Sequence, residues 1–263
     1  MKFIISASTN VGISKSINED SVFIRRLMTP SGEAVFAAVC DGVGGLNCGE
    51  IASGSVIIAL NRWVSEEFPL IYERGITERS VFQSWFDLVH HMNLRIREYG
   101  RRNGIRLGTT LAAFMIVQDT CYIMNVGDSR VYELSDHARI LTHDQTLVAK
   151  EVEQGILTPE EASCDSRNNI ILQCIGESEQ VFPEFRTVPL NNNAVYMACS
   201  DGFRHAVLKE ELLEYLGPHN QTEAMLKEGQ EYLISLNIGR DEKDNISVVS
   251  ARPYYEEDER GSS

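Results

Sequence analysis

Four acidic positions stand where strand-like apolar runs meet turn residues. Glu19-Asp20 precedes the run 21–24, and Asp41-Gly42 follows the run 34–40. Asp201-Gly202 follows 195–200, and Asp244-Asn245 precedes 246–249. Two of these positions start strands and two end them. In antiparallel sheets the start of one strand and the end of its neighbour share an edge, so dispersed carboxylates can meet at one rim. There they repel one another unless a cation holds them. Clustered carboxylate oxygens with a backbone carbonyl suit hard ions such as Mg²⁺ or Mn²⁺. Two such ions about 3.5–4 Å apart can clamp an in-line displacement at phosphorus and lower the pKa of a bound water. Asp41 is the best bridging residue, because Gly42 permits close backbone approach and its carbonyl can serve as a further ligand. Glu19, Asp201 and Asp244 can supply the remaining arms.

Sheet edges must position these groups. The runs 22–27 and 34–40 are separated by Thr29-Pro30-Ser31-Gly32, a strong turn signal. They predict a hairpin whose open end carries Glu19-Asp20 on one strand and Asp41 on the other. Residues 50–68 have helical spacing, with Ile51, Val56, Ile57, Leu60 and Val64 on one apolar face, and a second helix is predicted over 80–101. Strands are expected at 108–117 and 120–126, at 130–134 and 139–141, and later at 195–199 and 246–250. Short helices are expected at 145–154, 209–216 and 221–236. Thr158-Pro159-Glu160-Glu161 has capping-box spacing with proline at the first helical position. It lies in a polar, irregular stretch, 155–169, that reads as a surface flap. Strand clusters interleaved with long helices predict an α/β protein of sheet layers covered by helices.

The 263 residues suit one large domain, and a hydrophobic fraction of 43% is ordinary for a globular core. The net charge of −14 argues against a nucleic-acid surface, which needs clustered Lys and Arg. Part of that charge lies in Glu256-Glu257-Asp258-Glu259, within a tail over 253–263 expected to be solvated and disordered. The six cysteines lack metal-ligand spacing, and Cys40, Cys121 and Cys199 sit inside apolar runs, as buried reduced thiols do. The apolar stretch at the N-terminus is too short for a secretory signal. No run approaches the roughly 20 apolar residues that span a bilayer. A soluble, cytoplasmic protein is expected, without membrane or nucleic-acid partners. The glycines over 42–49 lack the Lys-Ser/Thr of a P-loop and do not fit the dinucleotide fingerprint.

Taken in order, these segments form a larger pattern. Gly12-Ile13-Ser14-Lys15-Ser16-Ile17-Asn18-Glu19-Asp20 resembles the opening motif of the metal-dependent protein phosphatases of type 2C, the PPM family. Asp41-Gly42-Val43-Gly44-Gly45, with Gly49-Glu50-Ile51-Ala52-Ser53 behind it, resembles the second. Gly108-Thr109-Thr110, Asn125-Val126-Gly127-Asp128-Ser129-Arg130, Leu141-Thr142-His143-Asp144, Ser200-Asp201-Gly202 and Asp244-Asn245-Ile246-Ser247 follow in the family's order. The resemblance covers residues 5–252, and the DGVGG form with short termini is similar to the bacterial branch.

The resemblance implies a β-sandwich of two antiparallel sheets flanked by α-helices on both sides, a single phosphatase domain over 1–252. It implies hydrolysis of phosphoserine and phosphothreonine by a metal-activated water, without a phosphoenzyme, using two Mn²⁺ or Mg²⁺ ions. Asp41 would bridge both ions, Glu19 and the Gly42 carbonyl would complete one site, and Asp201 and Asp244 would hold the other. Asp20 would hydrogen-bond the site's waters, and Asp128 matches the position that, with Asp201, holds a third, weaker ion. Partners would be phosphorylated Ser/Thr proteins and a cognate Ser/Thr kinase, and a monomer is expected. Three departures stand out. Lys15 replaces the usual phosphate-binding arginine, keeping charge but losing the bidentate fork. Val43 replaces a histidine proposed as general acid in many eukaryotic members, and Asp165 replaces a frequent flap histidine. The rival expectation is a catalytically silent module that binds a phosphorylated partner, but such a relative would be free to lose the acidic set that this chain keeps.

Overall fold

Residues 1–43 and 48–255 are described by the structure, a computed structural model. Two five-stranded antiparallel sheets stack face to face. The first runs in the order β1 (Lys2–Asn10), β10 (Ile246–Tyr254), β9 (Val195–Cys199), β6 (Arg130–Leu134) and β7 (Ala138–Ile140). The second runs β2 (Ser21–Thr29), β3 (Gly32–Cys40), β4 (Leu111–Val117), β5 (Thr120–Val126) and β8 (Glu184–Pro189). Helices α1 (Gly49–Glu66), α2 (Phe68–Glu73) and α3 (Glu78–Asn103) belong to the second sheet's outer face, while α7 (Lys209–Leu216) and α8 (Glu223–Gly239) cover the first's. Helix α4 (Leu147–Glu153) precedes the flap, α5 (Pro159–Ser163) lies within it, and one turn of helix, α6 (Asp201–Arg204), follows β9.

The side-chain period of two explains these four layers. Along β3, Val35, Ala37 and Val39 face inward and join Phe114, Tyr196, Ala198 and Val249 between the sheets. The alternate residues Ala34, Phe36, Ala38 and Cys40 face outward onto Trp63, Trp85 and Val89 of α1 and α3. Both faces of the strand are covered, so β3 from Ala34 onward and β4 read as unbroken apolar runs. On the opposite side Tyr132, Met197 and Val248 pack beneath Leu212, Leu226 and Leu233. Buried Gln230 ties α8 to β1, its amide oxygen accepting from the Ser6 and Ser8 hydroxyls at 2.8 and 2.9 Å.

The sandwich, the central hairpin and the long helices match expectation. The capping box also forms: the Thr158 hydroxyl accepts from the Glu161 N–H, and the Glu161 carboxylate accepts from that of Thr158. Strands β1 and β8 and helix α2 were not predicted. Strand β10 continues to Tyr254, where Pro253 and Tyr254 pair with Phe3 and Lys2, so the sheet passes the expected boundary at 252. The acidic stretch 256–259 and Gly44-Gly45 lie outside the described residues. Among the described residues no helix is long and apolar enough to cross a membrane.

Candidate metal centre

Strand register brings the predicted acids to one rim. Ser21 pairs with Cys40, so Asp20 and Asp41 flank the open end of the β2–β3 hairpin. Asn10 pairs with Ile246, which sets Asp244 and Asn245 beside the loop from 11 to 20. Arg130 pairs with Cys199, which sets Asp128 beside Asp201.

Backbone latches then fix each group. Asp41 donates its N–H to the Thr110 hydroxyl at 3.1 Å, and its carbonyl accepts from the Thr110 N–H and the Thr109 hydroxyl, both at 2.9 Å. Three main-chain bonds thus hold Asp41 without using its carboxylate. Gly42 lies so close to its neighbours that a Cβ would sit 2.7 Å from the Glu19 carbonyl oxygen and 2.8 Å from the Gly49 carbonyl carbon. Glu19 accepts the Gly49 N–H on Oε1 at 3.1 Å, and its carbonyl accepts from the Ser53 hydroxyl at 2.6 Å. Asn245 is the keystone of this edge. Its Oδ1 accepts from the Glu19 N–H at 2.8 Å, while its Nδ2 donates to the carbonyls of Val11 and Ile17 at 2.9 and 3.2 Å.

The electrostatics are those of crowded carboxylates. Burial above all pushes Asp20 up to about 7, with Asp201 and Asp244 adding to the rise. The hydroxyls of Ser247 and Ser200 stand beside it and oppose the shift, yet neither Asp20 oxygen completes a hydrogen bond. Burial and then the charges of Asp20, Asp201, Asp128 and Asp244 drive Asp41 well above the usual carboxylate range. One oxygen of Asp201 is likewise buried without a partner. Ionised buried oxygens without donors are costly, and a hard cation with its waters is the partner that such a set fits. The acids share a rim but not a point: among the described residues no three His, Cys, Asp or Glu side chains converge as ligands of one ion. Lys15 reaches between two of them, its Nζ 3.1 Å from Asp244 Oδ1 and 3.5 Å from Glu19 Oε2. Burial works against that charge, but Asp244 and Glu19 outweigh it and raise the lysine's pKa.

Several contributors were given no role at the site by the sequence alone. Glu242 accepts the N–H groups of Lys243 and Asp244 on Oε1, while Oε2 lies 3.4 Å from His205 Nδ1. The other nitrogen of His205 is 3.6 Å from Asp201 Oδ2. Asp144 is gripped by the two-pronged guanidinium of Arg130 at 2.8 and 2.6 Å. Arg204 donates to the Asp128 carbonyl at 3.0 Å. Arg130 and Asp144 stand within motifs already marked in the sequence, whereas Glu242, Arg204 and His205 had only adjacency to one, as with His205 four residues after Asp201. Of the departures, Val43 donates its N–H to the Gly108 carbonyl, and Asp165 pairs with Arg167, which also holds Glu151. A cavity of about 600 Å³ lies between α4 and the segment 172–182, lined by His143, Asp144, Lys150 and Phe182 among others, and includes none of the predicted ligands.

A sequence model described as protein phosphatase 2C matches residues 13–233. A putative protein phosphatase 2C-type of Streptococcus pyogenes is 31% identical over 249 residues, 93% of this chain and 95% of its own. PhpP of Streptococcus pneumoniae is 28% identical over 251 residues, with the same two coverages of 93% and 95%. Among solved structures, the serine/threonine phosphatase of S. agalactiae superposes with a TM-score of 0.83 at 28% identity, covering 96% of this chain and 100% of the other. The catalytic domain of PstP in complex with two manganese ions gives 0.75 at 28% identity, covering 95% and 99%.

Proposed function

The chain belongs to the protein phosphatase 2C family, and from that premise we propose that it hydrolyses phosphoserine and phosphothreonine in proteins with two Mn²⁺ or Mg²⁺ ions and no phosphoenzyme. The observation that carries the reading is the trio of buried, unpartnered carboxylate oxygens on Asp20 and Asp201. Bound at this rim, the ions would supply Lewis acidity that activates water and steadies charge on the phosphoryl oxygens. Asp41 would be the shared ligand, with Glu19 and the Gly42 carbonyl on one side and Asp201 and Asp244 on the other. In the reaction a water oxygen would bond to phosphorus as the bond from phosphorus to the Ser or Thr oxygen breaks, and the proton the attacking water gives up would be balanced by the one the leaving oxygen takes to become the hydroxyl. Asp20 would accept hydrogen bonds from the site's waters. Lys15 would leave its carboxylate partners to orient the phosphate as a point charge, less strictly than a guanidinium fork. Asn245 would keep Glu19 in place while Lys15 moves.

The substrates would be proteins modified by a Ser/Thr kinase, met by a monomer. A cytoplasmic setting agrees with six free cysteines, four of them buried. The test is turnover of a phosphothreonine peptide with millimolar Mn²⁺. Activity is expected to vanish with chelator and in Asp41→Ala and Asp201→Ala. A well-folded wild-type preparation without turnover would rule the reading out.

A further inference from the structure

Asp128 has a fixed cation against it. Arg204 Nη2 donates to the Asp128 carbonyl at 3.0 Å and lies 3.6 Å from Asp128 Oδ2. The same nitrogen is 3.6 Å from Asp144 Oδ2, and Asp144 is itself locked by Arg130. The Arg204 side chain is 12% exposed, against 30% for Lys15. The two cations therefore differ in kind. Lys15 is a flexible stem at the mouth of the rim, free to swing away from its carboxylates. Arg204 is wedged between two acids on the helical turn that also carries Asp201. That turn is clamped from both sides. Asn237 Nδ2 donates to the Phe203 carbonyl at 2.9 Å, and Gly202 approaches the Asn245 carbonyl so closely that a Cβ would stand 2.2 Å from it. An ion shared by Asp128 and Asp201 would have to enter beside this guanidinium and take over the oxygen it faces.

We propose that Arg204 supplies the positive charge at the Asp128 corner permanently, so that this enzyme takes two divalent ions and admits no third ion there. The inference rests on the metal-dependent reading above and departs from the role that the resemblance gives Asp128. Under it Asp128 and Arg204 are positioning residues: they hold α6, and hence Asp201, at the acidic rim.

The test counts ions. Chelator-stripped full-length protein is titrated with Mn²⁺ into the millimolar range by isothermal calorimetry, with unbound Mn²⁺ read by electron paramagnetic resonance. Two ions are expected for the wild type, with no weaker third step. Arg204→Ala should gain a weak third ion, and adding Asp128→Asn to it should remove that ion again. Circular dichroism melts establish that each variant is folded. If Arg204→Ala does not fold, Arg204→Gln replaces it, since it keeps a polar side chain there without the charge. A third ion in the wild type that disappears in Asp128→Asn overturns the proposal, as does a folded Arg204 variant that still binds two. A wild type that binds no ion removes the phosphatase reading and the inference together.

Discussion

Asn245→Ala tests whether one amide organises the acidic rim. The side chain is 2% exposed and makes three hydrogen bonds to the main chain of the loop that carries Lys15 and Glu19. Its removal leaves the Glu19 N–H and the carbonyls of Val11 and Ile17 without these partners. At ~1 kcal/mol of net stability per bond the loss is about 3 kcal/mol. For a chain of this size that corresponds to a Tm lower by roughly 6–12 °C. The same loop sets Glu19, so Mn²⁺ affinity should weaken by about 10- to 100-fold, the usual effect of losing a group that orients a ligand. Asn245→Asp keeps the acceptor for Glu19 but loses both donors and adds charge beside Asp244, so it should be no better than alanine. Scanning calorimetry of the metal-free protein and a Mn²⁺ titration read the two effects separately. A Tm within about 2 °C of wild type, with unchanged Mn²⁺ affinity, would refute the argument that this amide positions the site.

Gly42→Ala should abolish Mn²⁺-dependent turnover and weaken Mn²⁺ binding, because the added methyl meets Glu19 and Gly49 backbone at under 3.0 Å; a variant with normal metal affinity contradicts the packing. Lys15→Arg should lower KM for a phosphopeptide by restoring a bidentate grip, and an unchanged KM means that Lys15 does not touch phosphate. Stability of the metal-free protein should fall as pH rises from 5 to 8. Asp20 and Asp128 are pushed up to about 7, chiefly by burial, so the folded state keeps protons that the unfolded chain sheds near pH 4. The folded state binds more protons between those limits, which makes the slope negative, and Mn²⁺ should raise Tm more at pH 8 than at pH 5. A metal-free Tm that climbs across this window is the contrary result.

Local signals carried much of the architecture. Thr29-Pro30-Ser31-Gly32 marks a turn, and the runs around it are apolar because both faces of β3 are covered, so the hairpin that joins Asp20 to Asp41 was legible. Strand β1 was not: its sequence KFIISASTN mixes two serines and a threonine into the run, and its partner β10 lies more than 200 residues away in the chain. Strand β8, EFRTVP, is a sheet edge whose polar residues give no alternation to read. The acidic residues could be picked out one by one because strand ends advertise them. Asn245, Glu242 and Arg204 act by reaching across loops, and their partners are fixed only when the sheets stack. Their types alone gave no reason to choose them over other polar neighbours. Sequence supplies the charges, and tertiary contact decides which cation or amide faces each.

Glu19 has a second attachment whose consequence extends beyond the rim. Helix α1 begins without a side-chain cap from Cys48, and the free N–H of Gly49 in its first turn is met by Glu19 Oε1. The carboxylate that would bind an ion is therefore also the stopper of an 18-residue helix. Any ligand that draws on this oxygen competes with, or reinforces, the order of that first turn, and linkage makes the effect reciprocal. A contact that tightens or frays the start of α1 from outside would tune metal affinity without approaching the acids, and amide exchange at Gly49 and Glu50 would register metal binding as a change in helix fraying.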